Sequence, residues 1–228
     1  MPNFLDNVPE LLESPRPFVR TQTCRLLGLL ASHMQTTEAV LKWEPCPRLV
    51  VLLRDEDIYV IHAAVYALTQ ISRTSAGAKA VLSAKALEHV PQLLMVRPPI
   101  TLNMVQDRTI ELLASLFRHE FAVPAILRLN ICAHLVSILQ AARPPLFIYD
   151  LLEVDYTGLT VATALLARMS EWPGGLSAVA NTAVLNAIER IDWEVVLPVG
   201  NKIRADMRTI QDNVAQYKDR TQTYQISS

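Results

Sequence analysis

Apolar residues recur at three- and four-residue spacing along most of the chain, which is the spacing of one face of an α-helix. In the central part, such a face runs over residues 63–71, and Asp57 precedes it where an N-cap would lie. Shorter apolar segments follow at 80–82 and 87–94. The pattern predicts a long helix, a short helix and a medium helix in succession, with Gly77 breaking the helical pattern after the first.

The same pattern repeats along the chain. Pairs of apolar residues that close the medium helices recur 41, 41 and 45 residues apart, and pairs in the long helices recur 41, 45 and 53 residues apart. The first set is Leu11-Leu12, Leu52-Leu53, Leu93-Leu94 and Ile138-Leu139, and the second is Leu26-Leu27, Ala67-Leu68, Leu112-Leu113 and Leu165-Leu166. Because one such unit cannot bury its own apolar side, we expect the units to stack. The extra length in the last interval falls near 146–150 and predicts either a longer packed turn or an insertion on a binding face.

One copy of the repeat resembles a known family. Residues 62–72, with the sequence HAAVYALTQIS, resemble the third helix of the armadillo repeat, whose pattern is roughly E-A-A-x-W-A-L-S-N-L-A. Residues 77–94 then resemble the first two helices of the next repeat. The resemblance extends over nearly all of 1–191, and it implies an all-α fold: a right-handed superhelical solenoid of armadillo-like three-helix repeats, related to the HEAT class by its period.

The repeat spacing predicts the domain organisation. We expect an array over residues 1–191 and a C-terminal segment over 192–228 that holds a capping helix and a frayed tail. The predicted array consists of a half-repeat at 1–33, repeats at about 35–73, 75–118 and 120–170, and a partial repeat at 172–191. Terminal units of solenoids are often atypical, which suits both ends of this array.

The C-terminal segment carries a stripe of apolar residues spaced 4, 3, 4 and 3 apart. Its members are Ile203, Met207, Ile210, Val214 and Tyr217. This spacing allows a coiled-coil seam, and hence a weak homodimer through 202–217. The stripe covers only about two heptads, so packing against the last repeat as a cap is the favoured alternative.

Composition excludes several classes of function. The chain has 228 residues, of which 51% are hydrophobic, and a net charge of −1 with acidic and basic residues interspersed. We therefore expect a buried core, no nucleic-acid partner and no membrane partner. The first residues lack the pattern of a signal peptide, and three dispersed cysteines suit a reducing compartment, so we expect a cytoplasmic or nuclear protein.

No motif for catalysis or for a cofactor is present. The sequence has no H-E-x-x-H, G-x-S-x-G, Walker-type loop or G-x-G-x-x-G, and Cys24, Cys46 and Cys132 form no metal-type cluster. We expect no enzyme activity, no cofactor and no metal site. The alternatives left open are a structural segment of a longer repeat array and a helical enzyme with a pocket between repeats.

The armadillo resemblance implies a concave groove lined by the long helices, with a protein or peptide segment as partner. Polar residues at i, i+4 steps on successive long helices form the candidate groove, although they also suit a plain solvated surface. They are Thr21, Arg25, His62, Tyr66, Gln70, Asp107, Glu111 and Ser115. Family members that bind basic import signals carry a Trp and an Asn four residues apart in each repeat, and here only Tyr66 with Gln70 resembles that pair. We therefore expect a non-catalytic adaptor or scaffold rather than an import receptor.

Overall fold

The structure is a computed structural model that describes residues 7–95, 104–129, 131–141, 157–180, 184, 186 and 200–226. These residues form helices and turns, and no strand occurs among them. The chain divides into two compact units, Met1–Leu129 and Asn130–Ser228, and each is described by itself. The predicted array boundary at 191 and the insertion near 146–150 lie outside the described residues.

The first unit contains nine described helices, named in chain order. They are α1 (Val8–Leu12), α2 (Pro17–Ala31), α3 (Met34–Leu41), α4 (Pro45–Val51), α5 (Ile58–Ile71), α6 (Ser75–Ser83), α7 (Val90–Met95), α8 (Met104–Leu116) and α9 (Val123–Leu127). Short 3-10 turns at Leu52–Arg54, Ala86–His89 and Glu120–Ala122 lie beside α4, α7 and α9. The second unit has four described helices: α10 (Cys132–Ala141), α11 (Thr157–Ser170), α12 (Pro173–Ala180) and α13 (Gly200–Ile226).

The long helices stack in the first unit as the repeat spacing predicts. Helix α5 packs against α2 on one side and α8 on the other, while α4 and α7 lie against α5 and α8 respectively. Leu27, Leu68 and Leu113 occupy equivalent repeat positions, and each is fully buried. The stacking therefore joins the apolar sides of successive repeats into one core.

Proline and short polar residues set where helices begin. Pro17, Pro45 and Pro173 stand at the first positions of α2, α4 and α12, where a missing N–H costs nothing. The Asp57 carboxylate accepts a hydrogen bond of 2.8 Å from the backbone N–H of Tyr59, which confirms its predicted N-cap role. Thr74 caps α6 in the same way, accepting from the N–H of Gly77 at 3.1 Å.

The prediction that Gly77 breaks the helical pattern is wrong. Gly77 lies in the first turn of α6, with helical residues on both sides. A Cβ at this position would lie 2.8 Å from the carbonyl carbon of Ile71 and nearer still to its oxygen. The glycine therefore marks the close approach of α6 to the end of α5, and Gly175 in α12 meets the Met169 carbonyl in the same manner.

Polar side chains link neighbouring repeats inside the first unit. Arg20 forms two hydrogen bonds with the Asp55 carboxylate, from Nε at 2.8 Å and from Nη2 at 2.9 Å. Ser72 donates to the Ser115 hydroxyl at 2.9 Å, and the His119 ring Nε2 lies 2.8 Å from the Ser72 carbonyl oxygen. The first contact joins α2 to the residues just before α5, and the others join the C-terminal ends of α5 and α8. Together they help to fix how the stacked helices align.

In the second unit, α13 covers α11 and α12. The predicted stripe provides the contact: Ile203, Met207, Ile210 and Val214 are all buried. The Asn213 side-chain amide also donates to the Ser170 hydroxyl at 2.9 Å. Burial of the stripe within its own chain supports the capping alternative, and the weak homodimer through 202–217 stays a prediction.

The three cysteines are free and buried. Burial raises the pKa of Cys24 to about 12 and the pKa values of Cys46 and Cys132 to about 11. At neutral pH these thiols are protonated, and a protonated thiol is a poor nucleophile and a poor metal ligand. Their role in the described structure is therefore core packing.

Candidate functional site

The outward sides of α2, α5 and α8 form one surface of the first unit, called here the long-helix face. The repeat register places residues of the three helices in equivalent rows. The first row consists of Phe18, Tyr59 and Met104, which are 73%, 57% and 44% exposed. Large apolar side chains are thus exposed at three equivalent repeat positions, whereas exposed apolar residues are ordinarily scattered singly over a surface.

A pocket of about 320 Å³ opens on this face beyond the first row. It is lined by Arg25, Leu29, His62, Ala63, Tyr66 and Arg108. Its apolar surface comes from a leucine, an alanine and a tyrosine ring, and two guanidinium groups enter from α2 and α8. The lining residues include no carboxylate, thiol or aliphatic hydroxyl.

Arg108 is held in place by three neighbours. Its Nη1 donates to Oε2 of Glu111 at 2.5 Å, and its Nε donates to Nε2 of His62 at 3.4 Å. Its guanidinium carbon lies 5.5 Å from the centre of the Tyr66 ring, within the range of a cation–π contact. The guanidinium therefore has a defined position before any partner arrives.

Tyr66 reaches the pocket because its neighbour on α2 has no side chain. A Cβ at Gly28 would lie 2.7 Å from Cδ1 of the Tyr66 ring, which is closer than carbon atoms approach. Glycine at this position lets the ring lie directly on the backbone of α2. The tyrosine is thus fixed between Gly28 on one side and Arg108 on the other.

The pocket keeps His62 neutral. Burial lowers the pKa of the imidazole, the nearby Arg108 and Arg25 guanidiniums lower it further, and the result is a pKa of about 4. A neutral imidazole can accept the hydrogen bond from Arg108 at Nε2, which a protonated ring could not do. The charge of the pocket at neutral pH therefore comes from its two arginines.

We expect His62 to make the protein less stable as the pH falls from about 6.5 to 4. An unperturbed histidine has a pKa of about 6.5, so in this interval the unfolded chain binds the proton and the folded chain does not. The free energy of unfolding therefore decreases by about 1–2 kcal/mol as the pH falls through this window. The decrease is smaller than the full pKa shift would give, because solvent screens the charge at this partly exposed ring. Urea unfolding at pH 7, 6, 5 and 4.5 measures it.

The control for this prediction is His62→Gln, which removes the titrating group and keeps a hydrogen-bond acceptor for Arg108. Its free energy of unfolding should fall less steeply than that of the wild type over the same interval. Parallel curves for the two proteins would show that the titration of His62 contributes nothing to the pH dependence.

The structure brings together three of the eight candidate groove residues, Arg25, His62 and Tyr66, at the pocket. Three others, Gln70, Asp107 and Glu111, are partly exposed on α5 and α8, and Glu111 reaches the pocket through Arg108. Thr21 and Ser115 are buried, so they do not line the surface. Ser115 instead joins α5 to α8 through its contact with Ser72.

Sequence reasoning missed Leu29, Ala63, Arg108 and Gly28. The repeat spacing could have identified the first three, because Leu29 is four residues after Arg25, and Ala63 and Arg108 are equivalent residues 45 apart. The choice of polar residues alone left out the apolar floor of the pocket. No sequence signal pointed to Gly28, since its role depends on the side chain of another helix.

The described residues hold no group of three or more His, Cys, Asp or Glu side chains placed to bind a metal ion. None of the helices in the described ranges is both long and apolar enough to cross a lipid bilayer.

Comparison with known proteins gives relatives in structure alone. No protein-family model matches the chain, and no curated protein matches it. Among solved structures, a designed armadillo repeat protein in complex with the peptide (KR)4 has a TM-score of 0.76 at 17% identity, covering 90% of this chain and 81% of that one. Computationally designed armadillo repeat proteins for modular peptide recognition give a TM-score of 0.74 at 17% identity, with the same coverage.

A third similar structure is an engineered protein, with a TM-score of 0.67 at 20% identity over 94% of this chain and 97% of that one. Identities this low establish likeness of fold and not of function. The helical repeats, their stacking in the first unit and these structural neighbours agree with the expected fold class. The chain is an all-α solenoid with the fold of armadillo-type repeat proteins.

Proposed function

We propose that the protein is a non-catalytic protein-binding module whose long-helix face receives an extended segment of a partner. The observation that carries this proposal is the open pocket around Tyr66, which lies beside the exposed row of Phe18, Tyr59 and Met104. A concave apolar site with a few fixed polar groups is the usual form of a recognition site. Its aromatic and arginine side chains are the types that dominate binding energy at interfaces.

The spacing of the helices suits an extended chain. Packed helices lie about 8–10 Å apart, and three residues of extended backbone span about 10 Å. A segment crossing α2, α5 and α8 could therefore place one side chain at each helix. The structural neighbours include designed proteins for peptide recognition, which supports the same kind of partner here.

The composition of the pocket favours binding over catalysis. An enzyme site between repeats would bring together several acid, base or nucleophilic groups whose pKa values are matched to a reaction. This pocket brings one neutral imidazole beside two guanidiniums, and the Arg108 hydrogen bond already occupies Nε2 of that imidazole. An apolar floor with fixed cations suits recognition of a side chain.

The proposal predicts that a library of random linear peptides displayed on phage yields binders that depend on Tyr66. Tyr66→Ala should weaken the binding of an enriched peptide at least tenfold, because the variant removes the central aromatic contact of the pocket. Fluorescence polarisation with a labelled synthetic peptide measures the affinity.

The matched control is Val51→Ala, which removes an apolar side chain that is 71% exposed on α4, away from the long-helix face. Its affinity for the same peptide should equal that of the wild type. Failure to enrich any peptide, or equal loss of affinity in both variants, would refute binding at this face.

A further inference from the structure

We infer that the partner segment carries an aspartate or glutamate, whose carboxylate binds between Arg25 and Arg108 while a neighbouring apolar side chain packs on Leu29 and Tyr66. This inference rests on the proposed function and deepens it by naming the chemistry of the bound residue. It follows from the charge, the free donors and the apolar floor of the pocket.

The charge of the pocket is positive at neutral pH. Arg25 and Arg108 enter from opposite sides, α2 and α8, and His62 between them is neutral. Glu111 offsets one of the two charges through its contact with Arg108. One positive charge thus remains uncompensated in a partly enclosed site, where an anion gains more than it would in open solvent.

Arg25 is exposed, and none of the described residues engages its hydrogen-bond donors. Within the described part of the chain it makes no hydrogen bond and no ion pair. By contrast, each guanidinium nitrogen of Arg20, five residues earlier on α2, donates to Asp55 or to the Ser14 carbonyl. A guanidinium offers paired N–H groups that match the two oxygens of a carboxylate. The Arg25 guanidinium is therefore available to an anionic group of a partner.

Arg108 offers a second donor group in a fixed position. Its Nε and Nη1 donate to His62 and Glu111, and no described residue accepts from Nη2, so Nη2 can donate to a ligand. Since Tyr66 and Glu111 already hold this guanidinium, binding an anion costs little ordering of the side chain. A carboxylate can accept from Arg25 and from Nη2 of Arg108 together.

The apolar floor selects a carboxylate that belongs to a peptide. Leu29 is 58% exposed and lines the pocket together with Ala63 and the Tyr66 ring, so this part of the pocket surface is apolar. The methylene groups of a glutamate, or an apolar side chain next to an aspartate, would cover this surface. A basic segment would instead bring like charge to two arginines, which is unfavourable.

The inference is tested by sequencing those peptides from the phage selection whose binding depends on Tyr66. We expect them to share an acidic residue next to an apolar one. Replacing that acidic residue by its amide, Glu by Gln or Asp by Asn, should weaken binding about tenfold or more. Arg25→Gln should weaken binding of the acidic peptide by a similar factor and leave binding of the amide peptide nearly unchanged, because the two changes remove the same contact.

Two controls separate this contact from general charge attraction. Arg16→Gln removes an exposed arginine just before α2, outside the pocket, and should alter the affinity less than twofold. An octapeptide of alternating lysine and arginine should bind at least tenfold more weakly than the enriched acidic peptide. Urea unfolding of each variant checks that it folds like the wild type.

The outcomes distinguish the inference from the proposed function. Enriched peptides that need Tyr66 but are neutral or basic, or that tolerate both the amide replacement and Arg25→Gln, would overturn the acidic specificity and leave peptide binding intact. Equal losses in Arg16→Gln and Arg25→Gln would assign the effect to net charge and also overturn it. The absence of any Tyr66-dependent peptide would overturn both.

Discussion

Gly77→Ala is expected to lower the free energy of unfolding by about 2–3 kcal/mol. The added Cβ would overlap the backbone carbonyl of Ile71, so α6 must move away from the end of α5 or distort its first turn. Helix propensity alone predicts the opposite sign, since alanine in a helix is favoured over glycine by about 1 kcal/mol. The sign of the change therefore distinguishes the packing explanation from the propensity explanation. Urea unfolding followed by circular dichroism at 222 nm measures it.

The neighbouring position supplies the control for the glycine. Ala76 lies one residue earlier in the same turn of α6 and is exposed, so Ala76→Ser adds one atom without a clash and should change the stability by less than about 0.5 kcal/mol. Gly175→Ala tests the equivalent contact in the second unit, with the Met169 carbonyl. A Gly77→Ala variant as stable as the wild type, or more stable, would contradict the close approach.

Asp55→Asn is expected to destabilise the protein by about 3 kcal/mol. Arg20 and Asp55 form a bidentate pair between α2 and the start of α5, and their side chains are only 15% and 8% exposed. Neutralising the aspartate leaves the guanidinium charge poorly compensated in a largely buried place. The change in the midpoint of urea unfolding measures this loss.

A second ion pair in the same unit is the matched control. Arg48 and Glu13 also pair through Nε, at 2.9 Å and across 35 residues, but their side chains are 41% and 69% exposed. Glu13→Gln should therefore cost at most about 0.5 kcal/mol. Equal effects of the two substitutions would show that burial does not set the strength of these pairs.

The Asp55 pair also predicts a dependence on pH. Burial by itself would raise the pKa of this carboxyl, but the hydrogen bonds from Arg20 and from the Asp57 backbone outweigh burial and hold the pKa below its ordinary value. A depressed carboxyl pKa contributes stability above the unfolded value of about 3.9, and the contribution is lost as the pH falls through the folded pKa. The stability difference between wild type and Asp55→Asn should therefore shrink below about pH 4.

Much of the fold followed from the spacing of apolar residues. The equivalence of Leu68 and Leu113 predicted that α5 and α8 stack, and the stripe that begins at Ile203 marked the buried side of α13. These features depend on helical periodicity and on the cost of exposing apolar surface, and both are properties of the chain itself. Gly77 was misinterpreted because glycine has the same local signature whether it ends a helix or admits a close neighbour.

Only part of the candidate site could be predicted from the sequence. The repeat spacing predicted that Arg25, His62 and Tyr66 lie on the same side of the long helices, because residues in equivalent turns of stacked helices face the same way. It did not predict that Thr21 would be buried, since the depth of a helix in the stack depends on the size of its neighbours' side chains.

By itself, the sequence determined that this protein is a stack of helical repeats, because the periodic apolar residues of each repeat can be buried only against the next one. The tertiary structure alone decided which polar side chains are satisfied within the chain and which remain available. Arg20 meets Asp55, Arg108 meets Glu111 and His62, and Arg25 meets no described partner. Pairings between helices depend on distances of a few ångströms across the stack, and one-dimensional spacing does not contain those distances.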